Sequence, residues 1–187
     1  MYVGSREAEL CNAVYKGDEN RVKELLTEQI SPNSKNEEGS YALAIAAEKG
    51  HLVIMKLLLD KGANVDQKTG DFFTAVYKAT THNQPECLRE LIARGAKCTD
   101  RILPFQAAAK GHAECLKILI DAGINCDPAG NFPNTCSPLE MAVRNRHLKC
   151  VRLLAPKTPI KASLLDVISN QDDECLKIFI DAGWRNT

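Results

Sequence analysis

Eight cysteines and four histidines are the residues of this 187-residue chain best equipped for chemistry. The thiols stand at Cys11, Cys87, Cys98, Cys115, Cys126, Cys136, Cys150 and Cys175. Cysteines in such number can form disulfides, hold a metal or simply fill a core. There is no CxxC pair and no Cys/His cluster at zinc-ligand spacing, so a metal centre is not expected. There is also no nucleophile elbow, phosphate-cradling glycine loop or His-rich metal motif. The sequence therefore points to a non-enzyme with no cofactor. No Asn-x-Ser/Thr acceptor occurs, which favours an intracellular compartment, where thiols stay reduced.

Composition narrows the partner. Lys plus Arg and Asp plus Glu are both 24, so the formal net charge is zero. A nucleic-acid or anionic-membrane binder normally carries excess positive charge, and neither role is expected. No apolar run approaches the ~20 residues of a membrane helix, so membrane insertion is not expected. The N-terminus, MYVGSREAELCN, has no basic segment followed by an apolar one, so no secretory signal is read. A cytoplasmic or nuclear location follows. The charge is uneven: residues 1–66 hold 8 basic and 11 acidic residues, and residues 67–187 hold 16 and 13. Between residues 139 and 161 six basic residues (Arg144, Arg146, Lys149, Arg152, Lys157, Lys161) face only Glu140. That run is either a solvated face or a patch for an acidic segment or phosphate.

The elements that must carry these residues recur. GHLVIMKLLLDKGANVD (50–66), NQPECLRELIARGAKCTD (83–100), GHAECLKILIDAGINCD (111–127) and QDDECLKIFIDAGW (171–184) align without gaps. A glycine (Gly62, Gly95, Gly123, Gly183) stands 12 positions after the residue that opens each segment. The opening positions are Gly17, Gly50, Asn83, Gly111, Arg146 and Gln171, at separations of 33, 33, 28, 35 and 25. A small-residue helix precedes the opening position, as in YALAIAAEK (41–49), ILPFQAAAK (102–110) and SPLEMAVRN (137–145). Ser137 suits a helix cap and Pro138 a first helical position. One unit is thus a short helix, a turn, a longer helix, a glycine that ends it and a polar connector.

This pattern resembles the ankyrin repeat, whose period lies near 33 residues. The second unit carries the resemblance most closely, through Ala46, Ala47, Gly50, His51, Leu57, Leu58, Leu59, Gly62 and Ala63. The resemblance implies an all-α solenoid of about six helix-turn-helix units with short hairpin-like fingers. The units run approximately over 5–35, 36–68, 69–100, 101–132, 133–160 and 161–187 as one array. One helix pair cannot bury its own apolar face, so neighbours must stack. The short spacing of 28 predicts a trimmed finger near Cys98 to Arg101. Pro156 is expected to stop the second helix of the fifth unit. The end units are expected to act as caps with a polar outer face, the run Asn170 to Asp173 fitting the last.

In this frame Cys87, Cys115, Cys150 and Cys175 share one inward repeat position, and Cys98 and Cys126 another, as small buried hydrophobes. His51, His112 and His147 all follow the opening position, as in the family, and read as turn-stabilising. His82 stands elsewhere, on the groove side of the third unit.

The resemblance implies binding of another protein in the concave surface of first helices and fingers. The variable positions are the residues before each turn: Tyr15 with Lys16, Glu48 with Lys49, Thr81 with His82, Ala109 with Lys110, Arg144 with Asn145, Ser169 with Asn170. The finger candidates are Lys35, Glu37 and Glu38, then Asp71, Phe72 and Phe73, then Arg101, then Phe132 and Asn134. Tyr77 and Phe105 replace the family's histidine on the first helix. Phe72, Phe73 and Phe132 read either as interface anchors or as staples folded onto their own fingers. The expected function is a monomeric, non-catalytic scaffold or adaptor. The alternatives are a targeting or substrate-recognition module of a larger enzyme or pathogen effector, and an inhibitor that occludes a partner enzyme.

Overall fold

A computed structural model describes residues 6–69, 73–99, 102–126, 136–157 and 173–183. Among these there are eleven α-helices and no strand, only an isolated antiparallel bridge between Lys35 and Tyr41. The chain divides into two compact units, residues 1–98 and 99–187.

The first unit holds three helix pairs. They are α1 (Arg6–Lys16) with α2 (Glu19–Thr27), α3 (Ala42–Lys49) with α4 (Leu52–Asp60), and α5 (Ala75–Thr81) with α6 (Pro85–Ala93). The first helices α1, α3 and α5 pack in series, and so do the second helices α2, α4 and α6. Helix α3 is covered from both sides, and Ala42, Leu43, Ala44, Ile45, Ala46 and Ala47 are all buried. Alanine makes that possible, because a methyl lets neighbouring backbones approach without costing side-chain entropy. Leu25, Met55, Leu58, Leu88 and Leu91 are fully buried in the core of this unit.

The turn inside each pair needs a residue with positive φ. Gly17 (φ 75) and Gly50 (φ 76) supply it in the first two pairs and Asn83 (φ 54) in the third. The residue that follows then reaches back to the pair before. The His51 ring lies over Gly17, and the Gln84 side chain lies over Gly50, its Nε2 donating to the Glu48 carbonyl at 3.3 Å.

The fingers close locally. The Asn36 N–H donates to the Ser40 carbonyl at 3.0 Å and the Ala42 N–H to the Ser34 carbonyl at 3.0 Å. Finger bases are joined from pair to pair by side chains that stand in for a backbone ladder. Asn33 Oδ1 accepts from the Asn64 N–H at 2.7 Å, and Asp66 Oδ1 accepts from the Lys97 N–H at 2.8 Å.

The second unit holds α7 (Ile102–Lys110) with α8 (Ala113–Asp121), α9 (Pro138–Arg144) with α10 (Leu148–Leu154), and α11 (Asp173–Asp181). Helix α7 packs on α9, α8 on α10 and α10 on α11. Ser137 starts α9 with a reciprocal cap. Its hydroxyl accepts from the Glu140 N–H at 3.0 Å while the Glu140 carboxylate accepts from the Ser137 N–H at 2.8 Å. Helix α10 stops at Leu154, two residues before Pro156. The turn into α10 is made by Arg146 (φ 56), and His147 behind it reaches the Ala109 carbonyl at 3.1 Å. His51 and His147 thus hold adjacent pairs together.

All eight cysteines are free thiols. Cys87, Cys115, Cys150 and Cys175 are at most 1% exposed. Burial pushes the Cys150 thiol up to about 11, and burial with Glu86 nearby does the same for Cys87. Such thiols are packing groups and poor nucleophiles.

The polar outer face expected of the last unit rests on the run Asn170 to Asp173, whereas on α11 itself the apolar Leu176 and Ile180 are exposed. The polar run proposed for that duty ends where α11 begins, and its Asn170, Gln171 and Asp172 lie outside the described residues. So do Asp100 and Arg101 of the finger expected to be trimmed.

Candidate functional site

A recess of about 680 Å³ lies in the first unit. Its floor comes from the first helices and its wall from the first finger. Ala8, Cys11, Asn12 and Tyr15 come from α1, Ile45 and Glu48 from α3, and Lys78 from α5; Asn36, Glu38 and Ser40 come from the finger. The floor follows the repeat. Asn12, Ile45 and Lys78 are successively 33 residues apart, and so are Tyr15, Glu48 and Thr81. One helical position therefore presents an amide, an aliphatic and an ammonium side by side, and its neighbour presents a phenol from α1 and a carboxylate from α3.

Glu48 organises the charges. Its carboxylate lies 3.0 Å from Lys78 Nζ and 4.0 Å from both Lys49 Nζ and His82 Nε2. Burial by itself pushes the Glu48 carboxyl up. The hydrogen bond and charge of Lys78, with the charges of His82 and Lys49, outweigh burial and hold it below its ordinary value. Lys49 also sets its ammonium 4.2 Å from the centre of the Tyr15 ring, a cation–π contact between adjacent pairs. Tyr15 is nevertheless 57% exposed, the most open large apolar side chain of the described residues. Glu37 and Glu38 stand exposed on the finger above.

The sequence-derived candidates distribute as follows. Glu38, Glu48 and Lys49 meet at or beside the recess, with His82 exposed next to Glu48. Thr81 does not join them. It is 6% exposed, and its hydroxyl donates to the Tyr77 carbonyl at 2.9 Å, so it supports the end of α5 from inside. Phe73 and Tyr77 stack on each other, centroids 3.9 Å apart and planes within 8°, which ties the finger to the helix it enters. That is the staple arrangement for Phe73. Asp71, Phe72, Arg101, Phe132 and Asn134 lie outside the described residues.

In the second unit Phe105 is half-buried on α7, Lys110 is exposed at the end of α7 and Arg144 at the end of α9. Asn145 donates its side-chain amide to the Ala109 carbonyl at 3.0 Å, so it works between helix pairs. Of the basic run, Arg144, Arg146, Lys149, Arg152 and Lys157 are exposed and Lys161 lies outside the described residues.

Sequence reasoning missed Asn12, Asn36, Ser40 and Lys78. The signal for Asn12 and Lys78 was available: they occupy the repeat position of Ile45 and replace an aliphatic residue with a polar one. Among the described residues no group of His, Cys, Asp and Glu could hold a metal ion. No described helix is long and apolar enough to cross a membrane.

The recurring pair of helices, turn and finger is the arrangement captured by the family model "Ankyrin repeats (3 copies)", which matches residues 10–102 and 98–166. The chain belongs to the ankyrin-repeat family. Among its relatives is the human "Transient receptor potential cation channel subfamily A member 1", 32% identical over 155 residues, which covers 75% of this chain and 14% of that protein. Human "Ankyrin repeat and SOCS box protein 3" is 33% identical over 105 residues, covering 52% of this chain and 20% of that one. The chain thus spans a small part of these relatives. The crystal structure of the human ASB11 ankyrin repeat domain superposes with a TM-score of 0.81, at 24% identity, covering 94% of this chain and 84% of that one. The fold is an all-α ankyrin solenoid, and ankyrin domains are in general protein–protein interaction modules.

Proposed function

We propose that this chain is a monomeric, non-catalytic adaptor that grips a partner protein with the concave side of its first helices and fingers. The observation that carries this reading is the recess of α1, α3, α5 and the first finger. It combines an open tyrosine with a fixed constellation of charges, Glu48 with Lys49 and Lys78, and a carboxylate at its rim, Glu38. Exposed aromatic rings and oriented charges are what interface anchors consist of. Buried free thiols of high pKa fit a compartment that keeps them reduced, the cytoplasm or nucleus. A second reading is favoured by the small share of each relative that the chain spans: it acts as the recognition module of a larger protein, a SOCS-box protein being one such setting among its relatives.

The test is affinity capture from cell extract with the native chain and with Tyr15→Ala combined with His82→Ala. Both side chains are exposed, so circular dichroism should be unchanged and the thermal midpoint should fall by no more than a few degrees. Proteins retained by the native chain and lost from the variant identify the interface. A capture profile identical for both sinks the groove reading.

A further inference from the structure

The last described helix is built like the interior of an array. With the second helices aligned on their turn-opening residues, Leu176 of α11 takes the place of Val22, Met55, Leu88, Leu116 and Val151. Those five are all 0% exposed, whereas Leu176 is 37% exposed. Four residues on, Ile180 takes the place of Leu26, Leu59, Ile92, Ile120 and Ala155, each buried or half-buried, and is 56% exposed. The side chains are as apolar as their counterparts; what differs is the cover. Inside the first unit α4 follows and packs on α2, and α6 on α4; inside the second, α10 packs on α8 and α11 on α10. Leu176 and Ile180 lie on one helix face, at i and i+4, in the register that those helix-on-helix interfaces bury.

The opposite end of the chain is finished differently. One position before Val22 stands Arg21, where later pairs have Ile54, Cys87, Cys115, Cys150 and Cys175, all at most 1% exposed. The Arg21 guanidinium is tied to Glu9 at 2.5 Å and Glu24 at 2.7 Å. A paired charge in a position otherwise apolar is how a face meant for water is made. The first pair therefore presents a charged, paired residue where α11 presents apolar side chains to water.

We propose that the open face of α11 is a stacking surface for one further ankyrin-type helix pair, whose second helix lies along Leu176 and Ile180. Continuity with the repeat interface selects this occupant, because the two exposed positions are those that every earlier second helix keeps covered. A free partner is a poorer match: two apolar side chains fall far short of the roughly 20–30 residues a side of a standard interface. A tethered repeat needs no such area, since its docking is intramolecular.

The experiment appends one consensus ankyrin repeat after Thr187, joined by a finger of ordinary length, and follows thermal unfolding. The native chain with the added repeat is expected to melt in one transition, about 5 °C or more above the chain alone. Leu176→Gln with Ile180→Lys should leave the unfused chain within about 2 °C of native, since both positions are open to water, and should abolish the gain from the added repeat. Ile180→Gln alone, at the more exposed site, repeats the comparison with a smaller change. No gain for the native fusion, or the same gain for fusions carrying the substitutions, overturns the proposal. So does sedimentation equilibrium showing that the unfused chain is a dimer which the double substitution splits, because the face then belongs to a second copy. The groove reading is untouched by either result, and the outcome of the capture experiment does not bear on this face.

Discussion

At the scale of single residues, one backbone requirement governs several choices that look unrelated in the sequence. The turn-opening position must take a left-handed conformation, which glycine adopts freely and which costs other L-residues roughly 1–2 kcal/mol. Asn83 and Arg146 hold it without glycine, and so does Gln29 (φ 64) at the end of α2. Space adds a second demand at the turn-opening position. A Cβ built on Gly111 would stand 2.7 Å from Nδ1 of the His147 ring, whereas one built on Gly123, with nearly the same φ, would meet nothing within 4 Å. Gly123→Ala is therefore expected to cost about 1 kcal/mol and Gly111→Ala about 2–3 kcal/mol, because the latter also displaces His147 from the Ala109 carbonyl. Urea unfolding of the two variants measures the difference; equal losses would show that the histidine contact contributes nothing.

At the scale of elements, the helix pair supplies the platform and its neighbours supply the chemistry. Glu48 on α3 and Lys78 on α5 are brought together only because first helices lie side by side, one repeat position offset from the next. The pairing has a pH signature. Glu48 is held below the ordinary glutamate value of 4.5, so its contribution to stability is complete above that value and is lost as pH falls through the lowered one. Glu48→Gln removes the charge and leaves Lys78, itself only 18% exposed, without its carboxylate. The variant should be less stable than native by about 1 kcal/mol near pH 7, and the gap should close as pH falls through the lowered Glu48 value. Urea midpoints across that range test it, and a gap that stays constant would remove Glu48 as its source.

At the scale of the whole molecule, stability comes from neighbours. Helix α3 is buried along six successive residues because α1 and α5 flank it, and no isolated pair can provide that. A fragment of residues 1–98, which holds three complete pairs, should fold with helical circular dichroism and a cooperative urea transition. A fragment of residues 36–68 alone should be unfolded. A cooperative transition in the shorter fragment would show that a single helix pair folds without its neighbours.

Much of this was legible in the chain itself. The recurrence of alanines, turn residues and glycines determined the family, the helix pairs and the inward place of Cys87, Cys115, Cys150 and Cys175, because each reflects a local demand repeated at a fixed period; Cys98 and Cys126, expected to be buried as well, are only half-buried. The Ser137-Pro138 start and the stop before Pro156 were equally local. The tertiary structure decided what depends on two repeats at once. It buried Thr81 and laid Phe73 on Tyr77. It gathered Tyr15, Lys49, Glu48 and Lys78 from three helices, and it left Leu176 and Ile180 uncovered. Period and residue type record what a position needs from its own pair, whereas exposure and charge pairing are set by whichever side chain the adjacent pair brings against it.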